Sequence, residues 1–268
     1  MDNPISFTLC NFFARQSGYN VRSWWEGASA ATDHFRPVST FKERFQRMIS
    51  EVAELGFDTV DLWEGHLHYK WATVEHIHIT KEVLKEFGIR PTCINMTVGP
   101  TADDFVGACH FVKALGIDLI IAWDTNALNA DRPGVTSVLR EHGVRYALEN
   151  HPEKTPDEIL TKIGHQDADV LGIALDTGWF GTQNFSAPEA IVALRDRTMA
   201  VHLKDVLETG AHRTCPWGDG IVDIRASVNA LHETGYKGPL TIEHEPEKCD
   251  PRPGLASNLA LLKHWMVS

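Results

Sequence analysis

Three acidic residues and one histidine in the second half of the sequence could together hold a metal ion. Each lies near the C-terminal end of a short apolar run, in Arg145-Tyr-Ala-Leu-Glu149, Leu171-Gly-Ile-Ala-Leu-Asp176, Met199-Ala-Val-His202 and Pro239-Leu-Thr-Ile-Glu243. If these runs are neighbouring parallel strands, the four side chains converge on one rim. A divalent cation would relieve the repulsion among three inward carboxylates. Carboxylate oxygens with one imidazole favour Mn²⁺, with Mg²⁺, Co²⁺ or Zn²⁺ as alternatives.

A repeated pattern along the chain predicts the elements that would position these residues. Polar helical stretches end in glycine and are followed at once by an apolar run, at Gly56, Gly88, Gly116, Gly143 and Gly235. Glycine tolerates the left-handed conformation at a helix C-terminus, so each joint predicts a helix end and then a strand start. Consecutive joints lie roughly 30 residues apart, which fits a repeated βα unit.

Eight strands and eight helices are predicted in alternation. The strands are expected near 5–12, 58–63, 91–97, 118–123, 145–150, 171–176, 199–204 and 240–244. The helices are expected near 41–55, 73–87, 102–115, 134–142, 156–164, 188–196, 223–234 and 254–266. The length of 268 residues suits one barrel. We therefore predict an α/β fold, a (β/α)8 TIM barrel forming a single domain over residues 1–268.

The segment from 13 to 40 has no clear helix or strand pattern and joins the first predicted strand to the first predicted helix. It is rich in aromatic and basic residues. A loop of this length in a compact barrel usually has a function. We expect it to form a lid on the rim that carries the candidate ligands.

Composition excludes several classes of protein. The formal net charge is −11 and no basic stripe is present, so we expect no nucleic-acid partner. No apolar run approaches the length of a membrane span, and the N-terminus does not resemble a signal peptide. The five cysteines are scattered and form no C-x-x-C motif. These features favour a cytoplasmic protein with reduced thiols, and they leave open whether it forms a homo-oligomer.

Five motifs resemble those of the xylose-isomerase-like TIM barrels, the sugar phosphate isomerase/epimerase superfamily. They are Leu148-Glu149-Asn-His151-Pro, Ala174-Leu-Asp176-Thr-Gly, Val201-His202-Leu-Lys204-Asp205, Pro216-Trp-Gly-Asp-Gly220-Ile-Val-Asp223 and Leu240-Thr-Ile-Glu243. The group includes ketose 3-epimerases, hydroxypyruvate isomerase, inosose dehydratase and endonuclease IV. The resemblance implies that Glu149, Asp176, His202 and Glu243 bind the metal. It also implies that the two glutamates are catalytic and move protons.

Two positions depart from the family pattern. Many relatives carry a histidine three residues after the strand-6 aspartate, where this chain has Trp179. Many epimerases place an arginine shortly after the strand-7 histidine; here Glu208 lies six residues on, and Arg213 is the nearest candidate. The differences suggest a different substrate shape from that of the ketose epimerases.

Several residues near predicted strand ends are candidates for substrate binding. Flat tryptophan rings suit the C–H faces of a sugar or an aromatic aglycone, although they could also simply close the barrel mouth. Lys204 shares a strand face with His202, and His151 shares one with Glu149, if side chains alternate. The full set of predicted substrate contacts is Trp63, His66, Trp123, His151, Trp179, Lys204 and Arg213.

The leading hypothesis is a metal-dependent sugar isomerase or epimerase that transfers a proton next to the carbonyl of a keto-sugar or polyol. The alternative is a metal-dependent lyase or dehydratase acting on a keto-inositol or a 3-keto-glycoside, because the same two bases could drive β-elimination. An endonuclease IV-like repair nuclease would need more histidine ligands and a basic groove. A sugar-binding barrel without catalysis would not need the pair of glutamates.

Overall fold

Eight parallel strands close into a barrel in the computed structural model, which describes residues 2–267. Around the barrel the order is β1-β10-β7-β6-β5-β4-β3-β2, so strands that follow each other along the chain are neighbours. These strands are β1 (Ile5–Thr8), β2 (Thr59–Trp63), β3 (Arg90–Asn95), β4 (Leu119–Ala122), β5 (Arg145–Glu149), β6 (Leu171–Asp176), β7 (Thr198–Leu203) and β10 (Leu240–Ile242). The predicted (β/α)8 fold is confirmed.

Helices follow the strands and pack outside them. They are α1 (Trp24–Phe35), α2 (Val38–Glu54), α3 (Val74–Glu86), α4 (Ala102–Leu115), α5 (Asn126–His142), α6 (Pro156–Ile163), α7 (Thr177–Thr182), α8 (Ala187–Leu194), α9 (Ile224–Glu233) and α10 (Arg252–Val267). Local sequence sets their ends. Thr101 and Thr155 cap α4 and α6 through their side chains, and Gly116 ends α4 in the left-handed conformation, with a φ of 81°.

Small side chains fill the inside of the barrel, whereas large apolar ones fill the layer between strands and helices. The inner cluster contains Cys93, Leu119, Ile121, Ala147, Ala174 and Ala200. Alternation along β5, β6 and β7 then places Glu149, Asp176 and His202 on the same inward face, one step nearer the rim.

The structure differs from the sequence expectation in several connections. The segment from 13 to 40 is not irregular throughout, because it contains one short 3₁₀ turn at Arg15–Ser17, helix α1 and the start of α2. The connection after β7 contains an antiparallel hairpin of β8 (Asp205–Glu208) and β9 (Ala211–Cys215), where only a long loop was expected. Both additions lie on the connections that follow strand C-termini, which is the rim carrying the candidate ligands.

Helix α5 begins at Asn126, well before the expected start at 134. Its path is kinked at Asp131, whose φ of −151° and ψ of 71° are not helical. Pro133 follows two residues later and cannot supply a backbone N–H, so a regular helix is not expected to run through this point. Within residues 2–267, no helix is long and apolar enough to cross a membrane.

Candidate metal centre

The four predicted ligands lie together at the C-terminal rim of the barrel. The strand register aligns them. Asp176 on β6 pairs with His202 on β7, and His202 pairs with Thr241 on β10, two residues before Glu243. One ligand atom from each of Glu149, Asp176, His202 and Glu243 lies within 4.8 Å of every other. This spread suits the coordination sphere of a single divalent ion, whose ligands bind at about 2.0–2.6 Å.

Several ligand atoms in this cluster are buried and lack a conventional partner. His202 Nδ1 lies 2.5 Å from Glu149 Oε1 and 3.1 Å from Glu243 Oε2. Nevertheless His202 Nδ1, Asp176 Oδ2 and Glu243 Oε2 make no hydrogen bond of regular geometry among the residues described, although Lys204 Nζ lies 2.8 Å from Asp176 Oδ2. Buried polar atoms are normally satisfied, so atoms that share one small volume without satisfying each other fit a bound cation. The residues present therefore fit the metal implied by the sequence.

Asp61 supports His202 from inside the barrel. Its Oδ2 lies 3.5 Å from His202 Nε2. Hydroxyl groups hold the same carboxylate: Ser6 donates to Oδ1 at 2.7 Å, Thr241 donates to Oδ2 at 2.8 Å, and Thr92 also donates to Oδ1. A carboxylate at Nε2 fixes the imidazole orientation and leaves Nδ1 for the metal. Asp61 is absent from the predicted site, although an acid within the apolar strand Thr-Val-Asp-Leu-Trp was an available signal.

Lys204 contacts three carboxylates, two of them from the candidate ligands. Its Nζ lies 2.8 Å from Asp176 Oδ2, 3.2 Å from Glu243 Oε1 and 3.1 Å from Glu245 Oε1. Burial would lower the pKa of Lys204, but the surrounding carboxylates outweigh burial and raise it well above its usual value. The ammonium is therefore charged at neutral pH. Glu245, which was not predicted as a site residue, also accepts hydrogen bonds from Trp24 Nε1 and Cys10 Sγ.

The two candidate catalytic glutamates have pKa values shifted in opposite directions. Burial raises the pKa of Glu149, but the charge of His202 outweighs this and the net shift is downward. At Glu243 burial also raises the pKa; Lys204 and His202 lower it, yet the net shift is upward. A divalent cation held by these residues would favour the ionised form of both carboxylates.

A cavity of about 460 Å³ opens above the ligands. Five of the seven predicted substrate contacts line it: Trp63, Trp123, His151, Trp179 and Lys204. His66 does not, because its ring lies below the surface against Phe35 and Trp63 and is 1% exposed. Arg213 does not either; it is exposed on β9 and pairs with Glu208 at 2.6 Å.

Trp179 and His212 form one wall of this cavity. Their rings stack with centroids 3.8 Å apart and an interplanar angle of 9°. Trp179 is placed by α7, whose N-cap is Asp176, and its backbone N–H donates to Asp176 Oδ1 at 3.0 Å. His212 comes from the unpredicted hairpin, and its Nε2 lies 3.3 Å from Lys204 Nζ. Because the hairpin was not expected, His212 could not be predicted at this position.

Comparison with known proteins identifies the family. The family model described as xylose isomerase-like TIM barrel matches residues 49–265. The chain belongs to this family. Among curated proteins, an L-ribulose-5-phosphate 3-epimerase of Escherichia coli is 35% identical over 69 residues, a match that spans 25% of this chain and only 22% of that protein.

Solved structures share the fold at low sequence identity. A xylose isomerase domain protein from Planctomyces limnophilus is 22% identical with a TM-score of 0.68, covering 81% of this chain and 91% of that one. A probable 3-DHS dehydratase from Bacillus anthracis is 15% identical with a TM-score of 0.71, covering 97% and 98%. At these identities the similarity establishes the architecture, whereas chemistry has to be argued from the site.

Proposed function

We propose that this protein is a divalent-metal-dependent sugar isomerase or epimerase that transfers a proton next to the carbonyl of a keto-sugar or polyol. The observation that carries the proposal is the cluster of Glu149, Asp176, His202 and Glu243, whose ligand atoms all lie within 4.8 Å of one another beneath an open cavity. When bound by Glu149, Asp176, His202 and Glu243, the metal would act as a Lewis acid toward the substrate oxygens, and Mn²⁺ suits this oxygen-rich set best.

The proton steps follow from the two carboxylates. Glu149 and Glu243 flank the reacting carbon as two bases. One takes the proton from the carbon next to the carbonyl, and the other returns a proton. Positioned acid–base groups of this kind contribute about 10²–10⁴-fold each. Lys204 provides a fixed positive charge beside both steps and can donate a hydrogen bond to a substrate hydroxyl.

The charges in the cavity favour a neutral sugar as substrate. Among the lining residues, five glutamates (Glu64, Glu149, Glu243, Glu245 and Glu247) surround Lys204 as the single lysine or arginine. The Lys204 ammonium is already engaged by carboxylates. A phosphate group would therefore meet more repulsion than attraction. The same argument disfavours an endonuclease IV-like activity on a nucleic-acid backbone.

A lyase or dehydratase is the second candidate, and Trp179, which lines the cavity where many relatives carry a histidine, is the observation that favours it. After Glu149 removes a proton, the electron pair can expel a substituent from the neighbouring carbon. The carboxylic acid formed on Glu149 can then give its proton to the departing oxygen. A keto-inositol would lose water by this route, and a 3-keto-glycoside would lose its aglycone.

Solvent deuterium exchange tests the proposal and separates the two candidates. The Mn²⁺-loaded protein is incubated in D₂O with a panel of ketoses, a keto-inositol and a 3-keto-glycoside, and products are followed by NMR. An epimerase or isomerase gives deuterium at the carbon next to the carbonyl together with a new sugar. A lyase gives an unsaturated ketone and a released group. If no member of the panel exchanges or reacts with Mn²⁺, Mg²⁺, Co²⁺ or Zn²⁺, the proposed function is wrong.

A further inference from the structure

Two large aromatic side chains stand exposed at the mouth of the cavity. Trp25 on α1 is 63% exposed and Trp123, directly after β4, is 43% exposed. Their ring centroids are 6.4 Å apart with an interplanar angle of 65°. Both rings line the same cavity as the metal ligands. Tryptophan can bury about 150–250 Å² of surface on contact, so much of this apolar area is free to bind a ligand.

The exposed rings are held by a buried aromatic wall. Trp24 contacts Trp25 edge-on at 5.1 Å and Trp63 edge-on at 5.6 Å, and it stacks on Phe13 at 5.9 Å. Trp24 Nε1 also donates a hydrogen bond to Glu245 Oε2 at 3.1 Å. Because Glu245 contacts Lys204, the wall is connected to the ligand cluster. Aromatic surfaces that are fixed before binding cost little conformational entropy when they bind.

We propose that Trp25 and Trp123 form an outer subsite for a flat apolar ring joined to the sugar. The substrate class is then a neutral keto-glycoside, with its sugar at the candidate metal ligands and an aromatic aglycone against the two mouth rings. This inference rests on the proposed function for the position of the sugar. A cavity of about 460 Å³ falls within the range of about 300–1,000 Å³ that holds molecules larger than one monosaccharide.

The acidic lining residues and the position of the two tryptophan rings favour an aromatic aglycone over other ligands. Both outer rings line the same cavity as Glu149, His202 and Glu243, so a ligand that extends outward from this cluster can contact them. The nearby charged lining residues are acidic, Glu64 and Glu247 among them, so an anionic substituent would be repelled. An uncharged ring is the substituent that matches both the apolar wall and the acidic surroundings.

Matched binding probes test the subsite without requiring turnover. Calorimetry on the Mn²⁺-loaded protein compares phenyl β-D-glucopyranoside, methyl β-D-glucopyranoside and glucose 6-phosphate. We expect the phenyl glycoside to bind at least about tenfold more tightly than the methyl glycoside. Trp25→Ala and Trp123→Ala should each remove most of this preference, with a smaller change in methyl glycoside affinity. Trp25→Phe should retain it, and Val74→Ala, at an exposed apolar residue on α3, should have no effect.

Three results would overturn the subsite. They are equal binding of the phenyl and methyl glycosides, tighter binding of glucose 6-phosphate, and equal weakening of both glycosides by Trp25→Ala. Sedimentation tests a second copy of the chain as occupant: a wild-type dimer that Trp25→Ala converts to a monomer, with no loss of phenyl preference, would assign the rings to an interface. Phenyl preference without deuterium exchange on any keto-sugar would overturn the proposed function alone. Exchange without phenyl preference would overturn the subsite alone.

Discussion

Glu149 and Glu243 are the residues whose replacement tests the chemistry most directly. Glutamine keeps the size of each side chain but cannot act as a base or bear the ligand charge. We expect Glu149→Gln and Glu243→Gln each to lower kcat by about 10²–10⁴-fold, measured on the keto-sugar that shows exchange. Circular dichroism should show a folded barrel in both. Glu141→Gln, at an exposed site on α5, is the control. Near-normal turnover in either variant would exclude the two-carboxylate mechanism.

Asp61 is predicted to act on the metal through His202. Asp61→Asn removes the carboxylate that faces Nε2 and weakens the orientation of the ring. We expect Mn²⁺ affinity, measured by calorimetry, to fall about 10–100-fold, the usual effect of losing such an outer partner. Asp118→Asn, at a surface residue paired with Arg145, is the control. An unchanged affinity would show that Asp61 serves only the packing of the barrel interior.

The sequence predicts individual residues well where strand alternation applies and poorly beyond strand ends. The four ligands lie at or within two residues of a strand end, so their direction follows from the pleat. His66 lies three residues after β2, where a turn redirects the chain and buries the ring. Arg213 belongs to a hairpin strand that the pattern did not reveal. The spacing of residues in the sequence alone therefore could not predict where the side chains of His66 and Arg213 point.

At the scale of elements, Asp205 holds the connection that follows the hairpin. Its Oδ1 accepts hydrogen bonds from the N–H groups of Val206 and Val222, and its Oδ2 accepts from Gly218 and Gly220. The side chain is fully buried. One aspartate thus organises the segment Pro-Trp-Gly-Asp-Gly-Ile-Val-Asp that resembles a family motif, and it fixes where the hairpin stands beside the cavity.

We expect Asp205→Asn to lower the free energy of unfolding by about 2–4 kcal/mol, because an amide nitrogen would face N–H donors at a buried site. Gly220→Ala should have an effect of similar size, since an added Cβ would lie 2.3 Å from both Asp205 Oδ1 and Val206 O. Urea denaturation measures both variants. Asp219→Asn, exposed in the same segment, is the matched control and should change stability by less than about 0.5 kcal/mol. Equal stability of all three variants would contradict this account.

Which elements could be predicted depends on where their stability comes from. The barrel strands and outer helices carry local signals, namely apolar runs, threonine caps and glycine ends. Helix α1 carries a local signal that the prediction missed, because Ser23 caps it through its side chain and Glu26 follows three residues later. Its position also depends on tertiary packing. Gly27, for example, lies so close to Phe13 that a Cβ would be 2.8 Å from the ring. The β8–β9 hairpin is short and outside the barrel, so no long apolar pattern marks it.

Metal removal should affect the stability of the whole barrel. A ligand that binds only the native state adds about 2.7 kcal/mol when present at a hundred times its Kd. For a chain of this size that corresponds to a Tm decrease of about 5–10 °C when a chelator removes the ion. Differential scanning calorimetry with elemental analysis measures it. Asp176→Asn, which disrupts the ligand set, should show a much smaller response. An unchanged Tm after verified removal of the metal would contradict the linkage.

Buried histidines should make the molecule sensitive to acid. Burial lowers the pKa of His66 from 6.5 to about 3, so the folded protein keeps it neutral while the unfolded chain takes up a proton below pH 6.5. Stability from this group is therefore present above pH 6.5 and is lost as the pH falls toward 3. We expect His66→Leu to reduce the loss in unfolding free energy between pH 7 and 4 by about 2–3 kcal/mol, measured by urea denaturation. His165→Leu, at an exposed residue, is the control, and an identical pH dependence in both variants would contradict the prediction.

The two carboxylate oxygens of Asp176 have different contacts. Oδ1 caps the helix that carries Trp179, whereas Oδ2 faces the ligand cluster. Any mutation that remodels this side of the cavity through Asp176 therefore also disturbs the ion's surroundings. Trp25 is not linked to the ligand set in this way, because it lies on a separate helix and is not a candidate ligand. Changes in specificity, whether selected in nature or designed, should accumulate on α1 before they reach the end of β6.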